Sequence, residues 1–420
     1  MANNIVQSVN RVAEDKGAEN VTANQPRQLQ QQHQQQLQQQ HRQPQHQPQH
    51  QPQHQPQHQQ QHQVQLQQPL QLQRQQQLQQ QQQQCQVIWI ATGSMSVARQ
   101  YHTASILANG KVLVAGGENG SSYFNSAELY DPSTGTWTNT GNMSVTQSAY
   151  RASILVNGKV LVVGGQNSAG MLNSAELYDP STGTWTTTGN MNNARNNFQT
   201  ATLGNGKVLV IGGYNDASTF LNSVELYDSS TGTWTATGNM TVARCAYIAS
   251  ILTNGTVLAA GGYNGNFINS AELYNQSTGT WTTTGIMNVA RQYHTGTILT
   301  NGTVLVAGGT NSTGYLNSAE LYNPLTGIWT TTGSMNVARE YYTASLLTNG
   351  YVLVTGGQNS ASQVNSSELY NPSTGIWSIT ANMNVTRFYH TASILASGKV
   401  LVSGGVGSSG VAVNSAELYQ

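Results

Sequence analysis

Glutamate stands at one recurring position of this 420-residue chain seven times: Glu128, Glu176, Glu225, Glu272, Glu320, Glu368 and Glu417. Arginine holds a second position six times, as Arg99, Arg195, Arg244, Arg291, Arg339 and Arg387, with Gln147 in the remaining copy. Two carboxylates a few ångströms apart across a substrate are what glycoside hydrolysis needs. An active site, however, is built from singular residues, and these recur in every copy. The two rings therefore read as structural, with glutamate and arginine holding strand and loop backbone or each other. Seven methionines (Met95, Met143, Met191, Met240, Met287, Met335, Met383) and seven tryptophans (Trp89, Trp137, Trp185, Trp234, Trp281, Trp329, Trp377) recur in the same way and read as packing between repeats.

Chemistry is better sought where the repetition breaks. One position reads His102, Tyr150, Phe198, Tyr247, His294, Tyr342 and His390. Imidazole is a ready metal ligand, and His102 and His390 fall in neighbouring copies, so His102, His390 and His294 form the alternative, metal-binding reading. The plainer reading is an aromatic lining at the centre of the fold. Cys85 and Cys245 are the only cysteines and give neither a disulfide framework nor a zinc-ligand spacing. The other variable segments are the stretches 118–124, 166–172, 214–221, 263–268, 310–316, 358–364 and 406–413, rich in Asn, Ser, Gly and aromatic residues. Tyr123, Phe124, Tyr214, Phe220, Tyr263, Phe267 and Tyr315 are the rigid anchors there, the composition of an adaptable binding surface.

These residues are set by a repeat. A glycine pair begins at Gly116, Gly164, Gly212, Gly261, Gly308, Gly356 and Gly404, at steps of 48, 48, 49, 47, 48 and 48 residues. Each copy reads as four strands: A (101–107), B (111–115), C (126–130) and D around Trp137. Asn109-Gly110 between A and B predicts a tight hairpin with positive φ at both central residues. Four strands per copy at this period predict an all-β, seven-bladed propeller of antiparallel blades. The last copy ends after strand C, at Tyr419-Gln420, while 87–93 is a strand D with nothing before it. The N-terminal strand is thus expected to complete the last blade and remove an open sheet edge. In such a blade the B–C and D–A connections emerge on one face.

The glycine pair after strand B in all seven copies resembles the kelch family. So does Tyr and Trp seven positions apart (Tyr130 and Trp137), matched in six copies and completed in the seventh by Tyr419 with Trp89. The resemblance covers 87–420 and implies a propeller with strand A innermost and D outermost. The string Arg-x-Tyr-His-Thr followed by Asn-Gly-Lys-Val-Leu-Val-x-Gly-Gly also resembles the propeller of galactose oxidases. There, tyrosine and histidine at this part of the blade supply copper ligands, and one tyrosine is crosslinked to a cysteine. Tyr101-His102, Tyr293-His294 and Tyr389-His390 match the pair; the cysteine has no match, since Cys245 directly follows Arg244.

Composition bounds the rest. Only 8% of residues are charged and the net charge is zero, so no nucleic-acid footprint is present. No apolar run reaches the roughly 18 residues of a membrane span, and no secretory signal is seen, which tilts the expectation slightly towards the cell interior. Residues 1–24 read as a polar leader. Residues 25–86 are a Gln/His-rich low-complexity segment, expected to be disordered because it has little apolar surface to bury. The leading expectation is a non-enzymatic propeller, without cofactor, that binds a protein or carbohydrate at the B–C/D–A face. The alternative is a copper-dependent oxidase with its site at the channel mouth. Oligomeric state is left open.

Overall fold

The structure, a computed structural model, describes residues 87–215 and 219–420. The leader at 1–24 and the glutamine/histidine tract at 25–86 lie outside the described residues.

Seven four-stranded antiparallel sheets follow one another along the chain, each with strand order A-B-C-D. Blade 1 has A at Thr103–Ile106, B at Val112–Ala115, C at Ala127–Asp131 and D at Thr136–Asn139. The seven A strands neighbour one another in a closed ring around a channel cavity of about 860 Å³, lined by 104–106 and its equivalents. The B strands are buried at every residue, as apolar runs covered on both faces must be. D strands lie outermost, and the threonines flanking Trp137 are exposed. Among the described residues no helix is long and apolar enough to cross a membrane.

The ring is closed by the N-terminal strand. Trp89–Thr92 pairs antiparallel with Ala416–Tyr419 in the register Trp89↔Tyr419 to Thr92↔Ala416, making blade 7 from both ends of the propeller sequence. Trp89 repeats the geometry of its equivalents. Its ring lies 5.2 Å from that of Tyr419, as Trp137 lies 5.1 Å from Tyr130. Its indole N–H donates to the Ala381 carbonyl of the preceding blade, as Trp137 donates to Gly93. Six of the seven tryptophans tie the outer edge of one blade to the loop leaving the blade before it in this way; the Trp281 indole N–H has no partner.

Two local expectations are corrected. The A–B turn has positive φ at Gly110 (80°) but not at Asn109. Gly110 N–H donates to Leu107 O, Leu107 N–H to Lys111 O, and Asn109 Oδ1 accepts from Lys111 N–H. This is the three-residue hairpin, a turn followed by one left-handed glycine, rather than a two-residue turn with both centres left-handed. Strand A is also shorter than 101–107, because Tyr101 sits at φ 52° and breaks the extended run.

The glycine pair has a packing reason. A Cβ on Gly116 would lie 2.8 Å from both the Gln147 carbonyl and the Tyr150 hydroxyl of the next blade. One on Gly117 would lie 2.6 Å from Gln100 O. Two D–A loops and one B–C loop thus converge on this pair, and no side chain fits between them.

Candidate functional site

The arginine and glutamate rings lie inside the blades. In the six blades that have both, Nη2 of the arginine meets Oε1 of the glutamate at 2.7–3.1 Å, with both side chains buried. Arg244 also donates from Nη1 to the Gly261 and Ser270 carbonyls and from Nη2 to Ser270 Oγ. Glu272 accepts from the N–H groups of Thr241 and Val242. The pair therefore pins the D–A loop to strand C and to the glycine turn, satisfying backbone groups that would otherwise be buried without partners. Blade 2 has Gln147 in place of arginine. Glu176 there still accepts from Ser144 and Val145, but Ser174 Oγ, whose equivalents take an arginine N–H, has no partner.

The His102 position does not line the channel mouth, which corrects the sequence reading. Its side chains turn into the junctions between blades. His102 Nε2 lies 3.1 Å from Thr391 Oγ1 of blade 7, and His390 Nε2 lies 3.1 Å from Thr343 Oγ1 of blade 6. Tyr150 and Tyr247 reach the Ala115 and Ile211 carbonyls of the preceding blades. Each of the three imidazoles therefore occupies a different junction. Burial, and then the positive charge of the arginine three residues before each (Arg99, Arg291, Arg387), pull their pKa values down to about 3. Among the described residues no group of three or more His, Cys, Asp or Glu side chains is placed to hold a metal ion. His102, His294 and His390 as placed do not converge on one copper. Cys245, 5% exposed, has its thiol pushed up to about 12 by burial, so it is not poised as a thiolate.

The mouth itself is made by the preceding position, where the sequence pointed to Tyr101, Tyr293 and Tyr389 only as part of the galactose-oxidase-like Tyr-His pairs and not as a ring. Tyr101, Ala149, Asn197, Ala246, Tyr293, Tyr341 and Tyr389 all have φ between 50° and 55°. The left-handed backbone costs a non-glycine residue energy, yet it recurs in every blade and so belongs to the fold. Blade-to-blade bonds around the mouth accompany it, Ala149 N–H to Tyr101 O and Tyr293 N–H to Ala246 O among them. Four of the seven are tyrosines from consecutive blades 5, 6, 7 and 1. Their ring centroids follow at 4.3 Å (Tyr293–Tyr341), 4.2 Å (Tyr341–Tyr389) and 4.0 Å (Tyr389–Tyr101). Blades 2, 3 and 4 carry Ala149, Asn197 and Ala246 instead, so one half of the mouth is an aromatic wall and the other is low. The run of tyrosines was visible in the sequence; the backbone twist that aims them at the axis was not.

Around the mouth each D–A loop bridges its own B–C loop, at Gln100↔Glu118, Asn196↔Tyr214, Cys245↔Tyr263 and Glu340↔Gln358 among others. Two B–C loops carry short hairpins, Gln166–Asn167 with Gly170–Met171 and Thr310–Asn311 with Gly314–Tyr315. Of the predicted anchors, Phe220, Tyr263 and Phe267 gather on blades 3 and 4. Tyr263 is 5.7 Å from Phe220 and 5.3 Å from Phe267, both edge to face. Tyr214 forms the bridge beside Phe220. Tyr123 bridges Glu118 in blade 1, and the next residue, Phe124, lies under the Arg99 guanidinium at 5.7 Å. Tyr315 stands on the blade 5 hairpin. The seven anchors are therefore one compact cluster and two outlying groups rather than a continuous rim.

A closed ring of seven four-stranded blades, each turned by a glycine pair and six of them locked by an Arg–Glu clamp, defines a β-propeller of the kelch type. The model of the KLHDC2/KLHL20/DRC7 Kelch-repeats domain matches residues 77–262 and 198–405, and the chain belongs to the Kelch-repeat family. Among solved structures, a fungal alcohol oxidase of the AA5 family in complex with copper aligns over 80% of this chain and 76% of its own. The TM-score is 0.65 and the identity 17%, a likeness of fold. No curated protein matches the chain.

Proposed function

We propose that the chain is a non-enzymatic protein-binding module whose ligand seats on the B–C/D–A face. The observation that carries this is the Phe220–Tyr263–Phe267 cluster, half-buried rings in mutual edge contact beside a rigid mouth. Partly exposed aromatics on a stiff scaffold are the residue types that dominate binding energy at interfaces. Membership of the Kelch-repeat family favours a protein over the carbohydrate also expected from the loop composition. The oxidase reading draws on the fold it shares with the copper-bound alcohol oxidase. Set against it are the three histidines, dispersed over separate junctions, and the buried, protonated Cys245.

A random peptide library selected on the full chain tests the proposal. Selected peptides are expected to lose roughly 1–3 kcal/mol of binding when Tyr263 and Phe267 are both replaced by alanine, the size of one or two hot spots. Peptides that bind the double variant equally well would place the ligand elsewhere. Purified protein is expected to hold no stoichiometric copper and to oxidise no primary alcohol. One tightly bound copper per chain, lost on replacing His102 and His390, would favour the oxidase instead.

A further inference from the structure

We infer that the tyrosine arc at the mouth, flanked by Glu118 and Glu340, is the seat of a cationic side chain, arginine or lysine, presented by the peptide ligand. The inference rests on the protein-binding reading above and adds the chemistry of the ligand's central residue.

The arc supplies the aromatic half of such a seat. Aromatic rings attract a cation over their faces, and the effect grows as water is excluded. The phenols are neutral: burial, and after it mainly the neighbouring phenols, raise the pKa of Tyr101 and Tyr341, and burial pushes Tyr293 up to about 12. Glu340 directly precedes Tyr341, and Glu118 bridges Gln100, the residue before Tyr101, which sets both carboxylates beside the arc.

The two carboxylates supply the charge. Among the described residues, six of the strand-C glutamates are paired with arginine, and Asp131, Asp179 and Asp228 with lysine. Glu176 is the interior residue of the blade that lacks its arginine. Glu118 and Glu340 are left on the mouth face with no cation. Glu340 is only 6% exposed and accepts one amide N–H, from Gln358 Nε2 at 3.0 Å. Glu118 has Gln100 Nε2 at 3.4 Å. A carboxylate held out of water without a counter-charge is unfavourable, and a ligand cation offsets that. Burial raises the pKa of both.

Neither acid is imposed by the repeat. The equivalents of Glu118 are Gln166, Tyr214, Tyr263, Thr310, Gln358 and Val406, and those of Glu340 are Gln100, Ser148, Asn196, Cys245, Gln292 and Phe388. They come from different loops of blades 1 and 6, on the two sides of blade 7 and its Tyr389. Among the described residues the one arginine without a carboxylate partner, Arg151, belongs to blade 2, where it donates to Tyr150 O. It therefore stands outside the aromatic half and does not neutralise these acids.

Calorimetric titration of the full chain with three tripeptides, tri-arginine, its neutral isostere tri-citrulline, and tri-glutamate, tests the assignment. Tri-arginine is expected to bind at least tenfold more tightly than the other two. In the Glu118→Gln/Glu340→Gln variant its affinity should fall to that of tri-citrulline, with tri-citrulline itself unchanged; Tyr341→Leu/Tyr389→Leu should weaken tri-arginine at least fivefold. A melting curve for each variant guards against unfolding, and the glutamine pair keeps the shape of the site. The assignment is overturned if tri-arginine does not bind, binds no better than tri-citrulline, or binds the glutamine variant equally well. Selected peptides that depend on Tyr263 and Phe267 but carry no basic residue would sink this inference alone and leave the protein-binding face standing.

Discussion

At the residue scale, blade 2 is a substitution already made by the chain. Every other blade fills the space between its glycine turn, its serine and its glutamate with arginine; blade 2 has Gln147, whose amide reaches only Met143 Sδ. Gln147→Arg would give Ser174 Oγ and Glu176 the partners that Ser270 and Glu272 have. A hydrogen bond to a charged group is worth about 1.5–3 kcal/mol, so the melting temperature should rise by several degrees. The reverse change, Arg244→Met, leaves Glu272 buried and unpaired and should cost about 3–5 kcal/mol. If that variant keeps its melting temperature yet loses peptide binding, the arginine ring is functional rather than structural.

The junction histidines make a pH prediction. Each has a folded pKa of about 3 against about 6.5 in the unfolded chain, so the unfolded state binds more protons between those values. Their stability contribution is therefore complete above pH 6.5 and is lost as pH falls towards 3, at roughly 1.4 kcal/mol per histidine per pH unit. Denaturant midpoints measured from pH 7 to pH 4.5 should fall steeply. His294 has neither ring nitrogen bonded and sits where blade 3 carries Phe198, so His294→Phe should flatten that slope by about a third without loss at pH 7. A slope unchanged by the substitution would show that His294 is charged in the folded protein.

At the element scale, two glycines of one blade separate conformation from contact. Gly110, in the A–B hairpin, has φ 80° with nothing within 4 Å of a built Cβ. Alanine there should cost only the left-handed backbone, roughly 1–2 kcal/mol. Gly116 has φ 58° and also faces the Gln147 carbonyl and the Tyr150 ring at under 3 Å. Gly116→Ala should therefore add an overpacking cost of about 1–3 kcal/mol to the same backbone term. Equal urea midpoints for the two variants would mean that the blade junction yields more readily than its packing implies.

At the scale of the whole molecule, stability is shared around a ring that one short strand closes. Removing 87–93 would bare strand C of blade 7 and free Trp89's place beside Tyr419. Trp89→Ala alone should cost roughly 3–5 kcal/mol, as a buried tryptophan does elsewhere. The same change at the half-exposed Trp137 should cost less. A chain lacking 87–93 whose unfolding midpoint matches the intact protein would refute the closure as a source of stability.

The repeat, its count of seven, the four strands per blade and the strand that closes the ring were all legible in the sequence. Glycine, tryptophan and glutamate at a constant step report local geometry that every blade must share. The Arg–Glu clamp was legible as a pair of rings, though not the serine and the loop N–H groups that complete it. The direction of side chains at the channel was hidden. One left-handed residue at Tyr101 sends its ring to the axis and its neighbour His102 into the junction, and no residue preference marks tyrosine for that conformation. Tyr293, Tyr341, Tyr389 and Tyr101 lie far apart along the chain, and Glu118 and Glu340 come from loops more than two hundred residues apart. Only closure of the propeller brings blade 1 beside blade 7, and with it this half of the mouth into existence.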